Sequence, residues 1–126
     1  MGIKEPSFTL GVEEEYLLVD KETRSLVIDP PDTLMAEAQE KCGEQVTSEL
    51  LKSQIEIGTK VCRNIQEAHE DLAQLRRSVI EVANNHGLAP IAASTHPFSA
   101  WTDQKHTEKD RYDQLTSEMQ GAARRL

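Results

Sequence analysis

Two short stretches of the chain carry residues that could do chemistry. The first is Gly11-Val12-Glu13-Glu14-Glu15-Tyr16. Glu is a reluctant strand residue, yet apolar residues of strand type surround this triplet. In an extended strand Glu13 and Glu15 share one face, about 6.6 Å apart at ~3.3 Å per residue. Like charges so placed repel unless water or a cation lies between them. Glu14 would point to the opposite face. The second stretch is Ser53-Gln54-Ile55-Glu56-Ile57-Gly58-Thr59. There Gln54, Glu56 and Gly58 face one way, and Ile55 and Ile57 the other. If the two strands pair, Glu56 joins Glu13 and Glu15. Such a set of carboxylates suits hard divalent cations that hold a polyphosphate. A solvated hairpin face is the plainer reading of the triplet alone.

The elements that must position these residues can be read from the pattern. Phe8 to Val19 reads as a strand, Asp20-Lys21-Glu22-Thr23-Arg24 as a turn, and Ser25 to Asp29 as the returning strand, ended by Pro30-Pro31. A short helix follows from Asp32 or Thr33 to about Lys41, with Gly43 as its stop. Another strand is expected near Leu51 to Val61. Asn64 with Glu67 three residues on marks a helix start. Ile65, Ala68, Leu72, Leu75, Val79 and Val82 then step along one helical face, and Gly87 ends it. Leu88 to Ala93 reads as a short strand, residues 99–110 as a loop, and Arg111 to Leu126 as a helix. The order β-β-α-β-α-β-α predicts an α+β fold with a mainly antiparallel sheet and helices packed on one side.

Composition narrows the function. The chain has 126 residues, which fits a single domain over 1–126. Its formal charge is −8, so nucleic-acid phosphate is not an expected partner. No run of 18 apolar residues is present, so no membrane partner is expected. Gly2 is an isolated myristoylation cue, without the hydroxyl residue at position 6. Cys42 and Cys62 form no CxxC pair and read as free thiols of a cytoplasmic protein.

Four segments in order carry a resemblance: FTLGVEEEYLLVD, SELLKSQIEIGTKVC, a helix ending in NNHG, and ASTHPF, with an RYDQL segment at Arg111–Leu115. Together they resemble the carboxylate–amine ligases of the glutamate–cysteine ligase type 2 group. That resemblance implies part of a glutamine-synthetase-like fold, an antiparallel sheet forming a funnel with carboxylates on its inner face. It implies ATP and Mg²⁺ as cofactors, an acyl-phosphate intermediate, and small-molecule substrates, glutamate and cysteine or another acid and amine. Family members are roughly three times as long, so the chain reads as an N-terminal portion or a shortened relative.

By position in the motifs, Glu13, Glu15 and Glu56 match the family's metal ligands. Glu49 matches a further acidic position more loosely. It lies seven residues before Glu56, an odd offset, so a continuous strand would turn it to the wrong face. A bulge or turn near Leu51-Lys52 would bring it in. The resemblance also makes His96 and Arg111 candidates for substrate and phosphate binding. On residue type alone His96 reads as a turn residue and Arg111 as helix surface. No residue is singled out as catalytic. A metal- or nucleotide-binding fragment without ligase activity, and an interaction module that pairs with another copy, are the alternatives.

Overall fold

Strand β1 spans Glu13–Asp20 and is the axis of the structure. The computed structural model describes residues 4–119; Gly2 and residues 120–126 lie outside the described residues. β1 is flanked on both edges. Its first half pairs antiparallel with β3 (Gln54–Gly58), and its second half pairs antiparallel with β4 (Leu88–Ile91). A short strand β2 (Val46–Ser48) adds to the far side of β3. The sheet order is β2-β3-β1-β4, and all three pairings are antiparallel.

Alternation along the strands makes one face the core. Tyr16 and Leu18 from β1, Ile55 and Ile57 from β3, and Val46 from β2 are buried on it. Two helices cover that face: α1 (Asp32–Cys42) brings Leu34 and Ala38, and α2 (Ile65–Asn85) brings Leu75, Val79, Val82 and Ala83. A third helix, α3 (Asp110–Met119), follows a long connection. The opposite sheet face holds a smaller cluster of Leu17, Val19 and Leu26 at one end. Glu13 and Glu15 stand at its other end by the same parity. The α+β class and antiparallel sheet are therefore as the pattern predicts.

Helix boundaries follow local chemistry. The Asn64 side chain accepts from the Glu67 N–H at 2.9 Å, as an N-cap should. Glu67 returns its carboxylate to the Arg63 N–H, one residue further out than in the ordinary capping box. Gly43 and Gly87 both take positive φ (60° and 71°) just after α1 and α2, where a side chain would be strained. Ile65 is the exception on the apolar stripe of α2: it is exposed at the first turn, before the helix reaches the sheet.

The strands differ from expectation in four places. β1 starts at Glu13 rather than Phe8, because the Thr59 hydroxyl takes the Val12 N–H at 3.0 Å in place of a ladder partner. Beyond it the chains touch again only at a single bridge between Leu10 and Cys62. The expected strand at Ser25–Asp29 is one bridge, Leu26 with Val19. The edge of β1 it would need is already held by β3 as far as Leu17, and the outward-facing Leu26 N–H is taken by the Ser99 hydroxyl at 2.9 Å. The strand expected near Leu51 to Val61 is the shorter β3, and β2 at Val46–Ser48, before the turn that leads into β3, is a strand the pattern did not predict. Finally, the last strand stops at Ile91, and the helix expected from Arg111 begins at Asp110 and is described as far as Met119.

Candidate metal centre

Register decides which carboxylates meet. Glu15 on β1 lies directly opposite Glu56 on β3, and Glu13 lies opposite Gly58. Glu13, Glu15 and Glu56 thus share the face away from the helices, as the two-residue repeat predicts. Glu13 lies over Gly58, where a Cβ would meet its Cγ at 3.8 Å.

Glu49 arrives by a route a single strand could not provide. Thr47 on β2 stands opposite Glu56. Glu49 is two residues past Thr47, so it keeps the same face. The reversal between β2 and β3 converts an odd offset into shared orientation. The turn falls at Leu51-Lys52-Ser53, where the Gln54 N–H donates to the Leu51 carbonyl at 3.0 Å. One oxygen each from Glu15, Glu49 and Glu56 then lies within 4.8 Å of the others. Glu13 is beside this group rather than in it.

Neighbouring residues hold the three in place. The Gln54 amide donates to Glu15 at 2.6 Å, while its oxygen accepts the Leu51 N–H at 2.9 Å. The second bond fixes which way the amide points. The Tyr112 hydroxyl donates to Glu49 at 3.3 Å, and the Arg111 guanidinium stands 3.9 Å from the same carboxylate oxygen. Arg111 also lies over the Tyr112 ring, 4.7 Å from its centroid. Residues 105–109 brace this side: the Lys52 N–H donates to the Lys105 carbonyl and the Thr107 N–H to the Leu50 carbonyl, each at 2.9 Å. Lys109 Nζ donates to the Ser48 carbonyl at 2.8 Å.

The electrostatics are those of an acidic cluster short of cations. Burial raises the pKa of Glu56, and Glu49, Glu13 and Glu15 push it further. Burial raises Glu15 as well, with Glu49 adding to it and the Gln54 bond opposing. Glu14 behaves in the opposite way. It faces α2, where Arg76 and Tyr16 hydrogen-bond to it, and the Arg76 bond holds its carboxyl below the usual range. Burial, followed by that carboxylate, pushes the Tyr16 hydroxyl up to about 12. One strand therefore presents a neutralised acid to the helices and unneutralised acids to the open face.

This donor set fits a hard divalent cation. All three donors are carboxylate oxygens, and an octahedral Mg²⁺ spaces its oxygen ligands roughly 3–4 Å apart. A modest contraction of the group would meet that spacing.

His96 lies elsewhere on the open face and does not join the acids. Its Nδ1 accepts the Ser99 N–H at 3.1 Å, and its Nε2 lies 2.8 Å from the Arg24 carbonyl. A carbonyl can only accept, so the ring is the Nε2–H tautomer and both nitrogens are engaged within the chain. It pins the 96–99 turn to the residues after β1 and forms part of a pocket wall. The contributions of Gln54 and Tyr112 were not visible in spacing or composition. Only the RY pair of the family-like segment pointed toward Tyr112.

Comparison with known proteins gives a consistent result. The family model described as glutamate-cysteine ligase family 2 matches residues 9–125. A protein of Rhodospirillum rubrum named "Putative glutamate–cysteine ligase 2" is 53% identical over 128 residues, covering 98% of this chain and 33% of that protein. Proteins of the same name from Jannaschia sp. and Chloroflexus aurantiacus are 53% and 40% identical, covering 94% and 95% of this chain. The chain spans about a third of the length of these curated relatives. Among the described residues, no helix is long and apolar enough to cross a membrane.

Proposed function

The chain belongs to glutamate-cysteine ligase family 2, and on that premise we propose that it supplies the cation- and phosphate-binding face of an ATP- and Mg²⁺-dependent carboxylate–amine ligase. The observation that carries this reading is the meeting of Glu15, Glu49 and Glu56 on the sheet face that the helices leave open. In the proposed reaction the γ-phosphate of ATP passes to the carboxylate of an acid substrate. The amine of a second substrate attacks the acyl phosphate, phosphate leaves, and an amide remains. Glutamate and cysteine are the acid and amine that the relatives' name suggests. The setting would be the cytoplasm, where ATP and free thiols coexist.

Each residue of the site has a part in this scheme. Glu15, Glu49 and Glu56 would hold the cation, and Glu13 beside them adds negative charge that draws a cation in. Mg²⁺ bound there would neutralise the phosphate charge that grows during phosphoryl transfer. Gln54 keeps Glu15 turned toward its partners. Tyr112 does the same for Glu49. Arg111, close to Glu49 and largely exposed, can offer its guanidinium edge to a phosphate oxygen.

The test is a calorimetric titration of the 126-residue chain with ATP, with and without Mg²⁺. Saturable binding that needs Mg²⁺ and is lost in Glu56→Gln is the expected result. Equal binding with and without Mg²⁺, or binding that survives Glu56→Gln unchanged, would refute the proposal.

A further inference from the structure

Residues 105–112 lie as a strap against the turn that carries Glu49. Three consecutive carbonyls there are each held by it. Ser48 accepts from Lys109 Nζ at 2.8 Å, Glu49 from the Thr107 hydroxyl, and Leu50 from the Thr107 N–H at 2.9 Å. In return the Lys52 N–H donates to the Lys105 carbonyl at 2.9 Å, and Leu51 bridges to His106. Tyr112 then reaches the Glu49 carboxylate itself, at 3.3 Å. Glu15 and Glu56 need none of this, because the β1–β3 ladder fixes their backbones. Of the three clustered acids, Glu49 alone lies outside the strands, and its place depends on a segment distant in sequence.

Hydrogen bonds rather than burial hold the strap down. From Ala92 to Arg111 no whole residue is buried, and Tyr112 is the first that is. His106 Nε2, and Gln104 Oε1 just before the strap, are buried atoms without a hydrogen-bond partner, which opposes docking. A segment with so few buried apolar contacts opens locally at low free-energy cost. Charge opposes the docked state as well. Docking sets an oxygen of Glu49 within 4.8 Å of oxygens of Glu15 and Glu56, so three like charges meet. A divalent cation among them turns that repulsion into attraction.

We propose that docking of the 105–112 strap is coupled to the cation: the docked strap presents Glu49 to Glu15 and Glu56, a cation held by the three keeps the strap down, and Thr107 is the positioning residue that joins the two events. This rests on the cation reading above and adds its regulation. A ligand shifts a conformational equilibrium only through its different affinities for the two states. Here the difference has a named source, a third carboxylate present in the docked state and withdrawn in the open one. By reciprocity, docking raises cation affinity by the factor by which the cation favours docking. Thr107 is central because its N–H and its hydroxyl grip two successive carbonyls, one of them that of Glu49.

Strap and cation can be read separately. Calorimetry gives the Mg²⁺ affinity, and amide hydrogen exchange by NMR reads the Lys52 and Thr107 N–H groups that cross between turn and strap. Saturating Mg²⁺ should slow exchange at both by about fivefold or more. The Lys21 amide, bonded to the Gly87 carbonyl at the other end of β1, should not change. In Glu49→Gln the slowing at Lys52 and Thr107 should vanish. Thr107→Val keeps shape and charge but loses the hydroxyl. It should weaken Mg²⁺ binding severalfold and speed exchange at Lys52, and Thr107→Ser should restore both. Should Thr107→Val fail to fold, the exchange comparison between the unaltered chain and Glu49→Gln decides. Mg²⁺ binding that leaves Lys52 and Thr107 exchange unmoved, or that Thr107→Val does not weaken, removes the strap proposal and leaves the cation reading standing. Absence of Mg²⁺ binding to the unaltered chain removes both.

Discussion

Glu15 and Glu56 face each other across the β1–β3 pairing, directly opposed in register and on the same side of the sheet. Directly opposed like charges cost a sheet stability. Burial raises the pKa of both carboxyls, Glu49 adds to each, and Glu15 adds least to Glu56. The arrangement opposes folding in the absence of a cation and favours binding in its presence. Replacing Glu56 by Gln should therefore stabilise the metal-free chain by roughly 0.5–1 kcal/mol, the scale of a cross-strand pair, and weaken divalent-cation binding at least tenfold. Urea denaturation with and without Mn²⁺ measures both. A loss of stability in the metal-free variant would show that the pair serves the fold instead.

The same two groups set a pH dependence. A carboxyl whose pKa is higher folded than unfolded binds extra protons in the folded state. Its effect is most favourable below the ordinary value near 4.5, and stability falls as pH rises from there through the raised values. Glu14 acts with the opposite sign: its lowered pKa gives stability above about 4.5 that is lost on acidification. The chain's profile is the difference of these effects. In Glu56→Gln the decline above pH 4.5 should shrink, while the acid-side loss stays. Thermal melts from pH 3 to 8 would reveal this, and an unchanged decline above pH 4.5 would contradict it.

Arg76 and Glu14 join α2 to β1 from the other face, with Tyr16 between them. Arg76 is half exposed, so Arg76→Met should cost only about 1 kcal/mol or less. Cation binding should be unchanged, because this pair points away from the site. A tenfold loss of Mn²⁺ affinity in Arg76→Met would mean that the two faces are coupled.

Arg24 adopts a left-handed conformation (φ 64°) in the turn after β1, where the Asp20 carboxylate accepts the Glu22 and Thr23 N–H groups. A side chain there costs about 1 kcal/mol or more. Arg24→Gly should raise the melting temperature by a few degrees, and circular dichroism melts would register it. The Arg24 carbonyl that holds His96 is kept in this variant. A lower melting temperature would mean that the Arg24 side chain contributes more than its backbone strain costs.

Much of this architecture could be read from the sequence. The acids of β1, the apolar stripe of α2, the Asn64 cap and the two glycine stops each follow from local chemistry, and each is seen. The two-residue repeat put Glu13 and Glu15 on one face, and pairing with β3 added Glu56. What could not be read was long-range. A seven-residue offset set Glu49 apart, and only the β2–β3 reversal brings it in. The strand expected at Ser25–Asp29 shrank because β3 had taken the edge, a competition that no local window contains. Gln54 and Tyr112 orient the acids across 39 and 63 residues of sequence, which periodicity cannot see.

The most direct test of the central claim is Mn²⁺ titration of the 126-residue chain by calorimetry, beside Glu15→Gln, Glu49→Gln and Glu56→Gln. One saturable site is expected that each of these three substitutions weakens at least tenfold, with Glu14→Gln matching the unaltered chain. Equal affinity in all five proteins, or loss on Glu14→Gln alone, would contradict it.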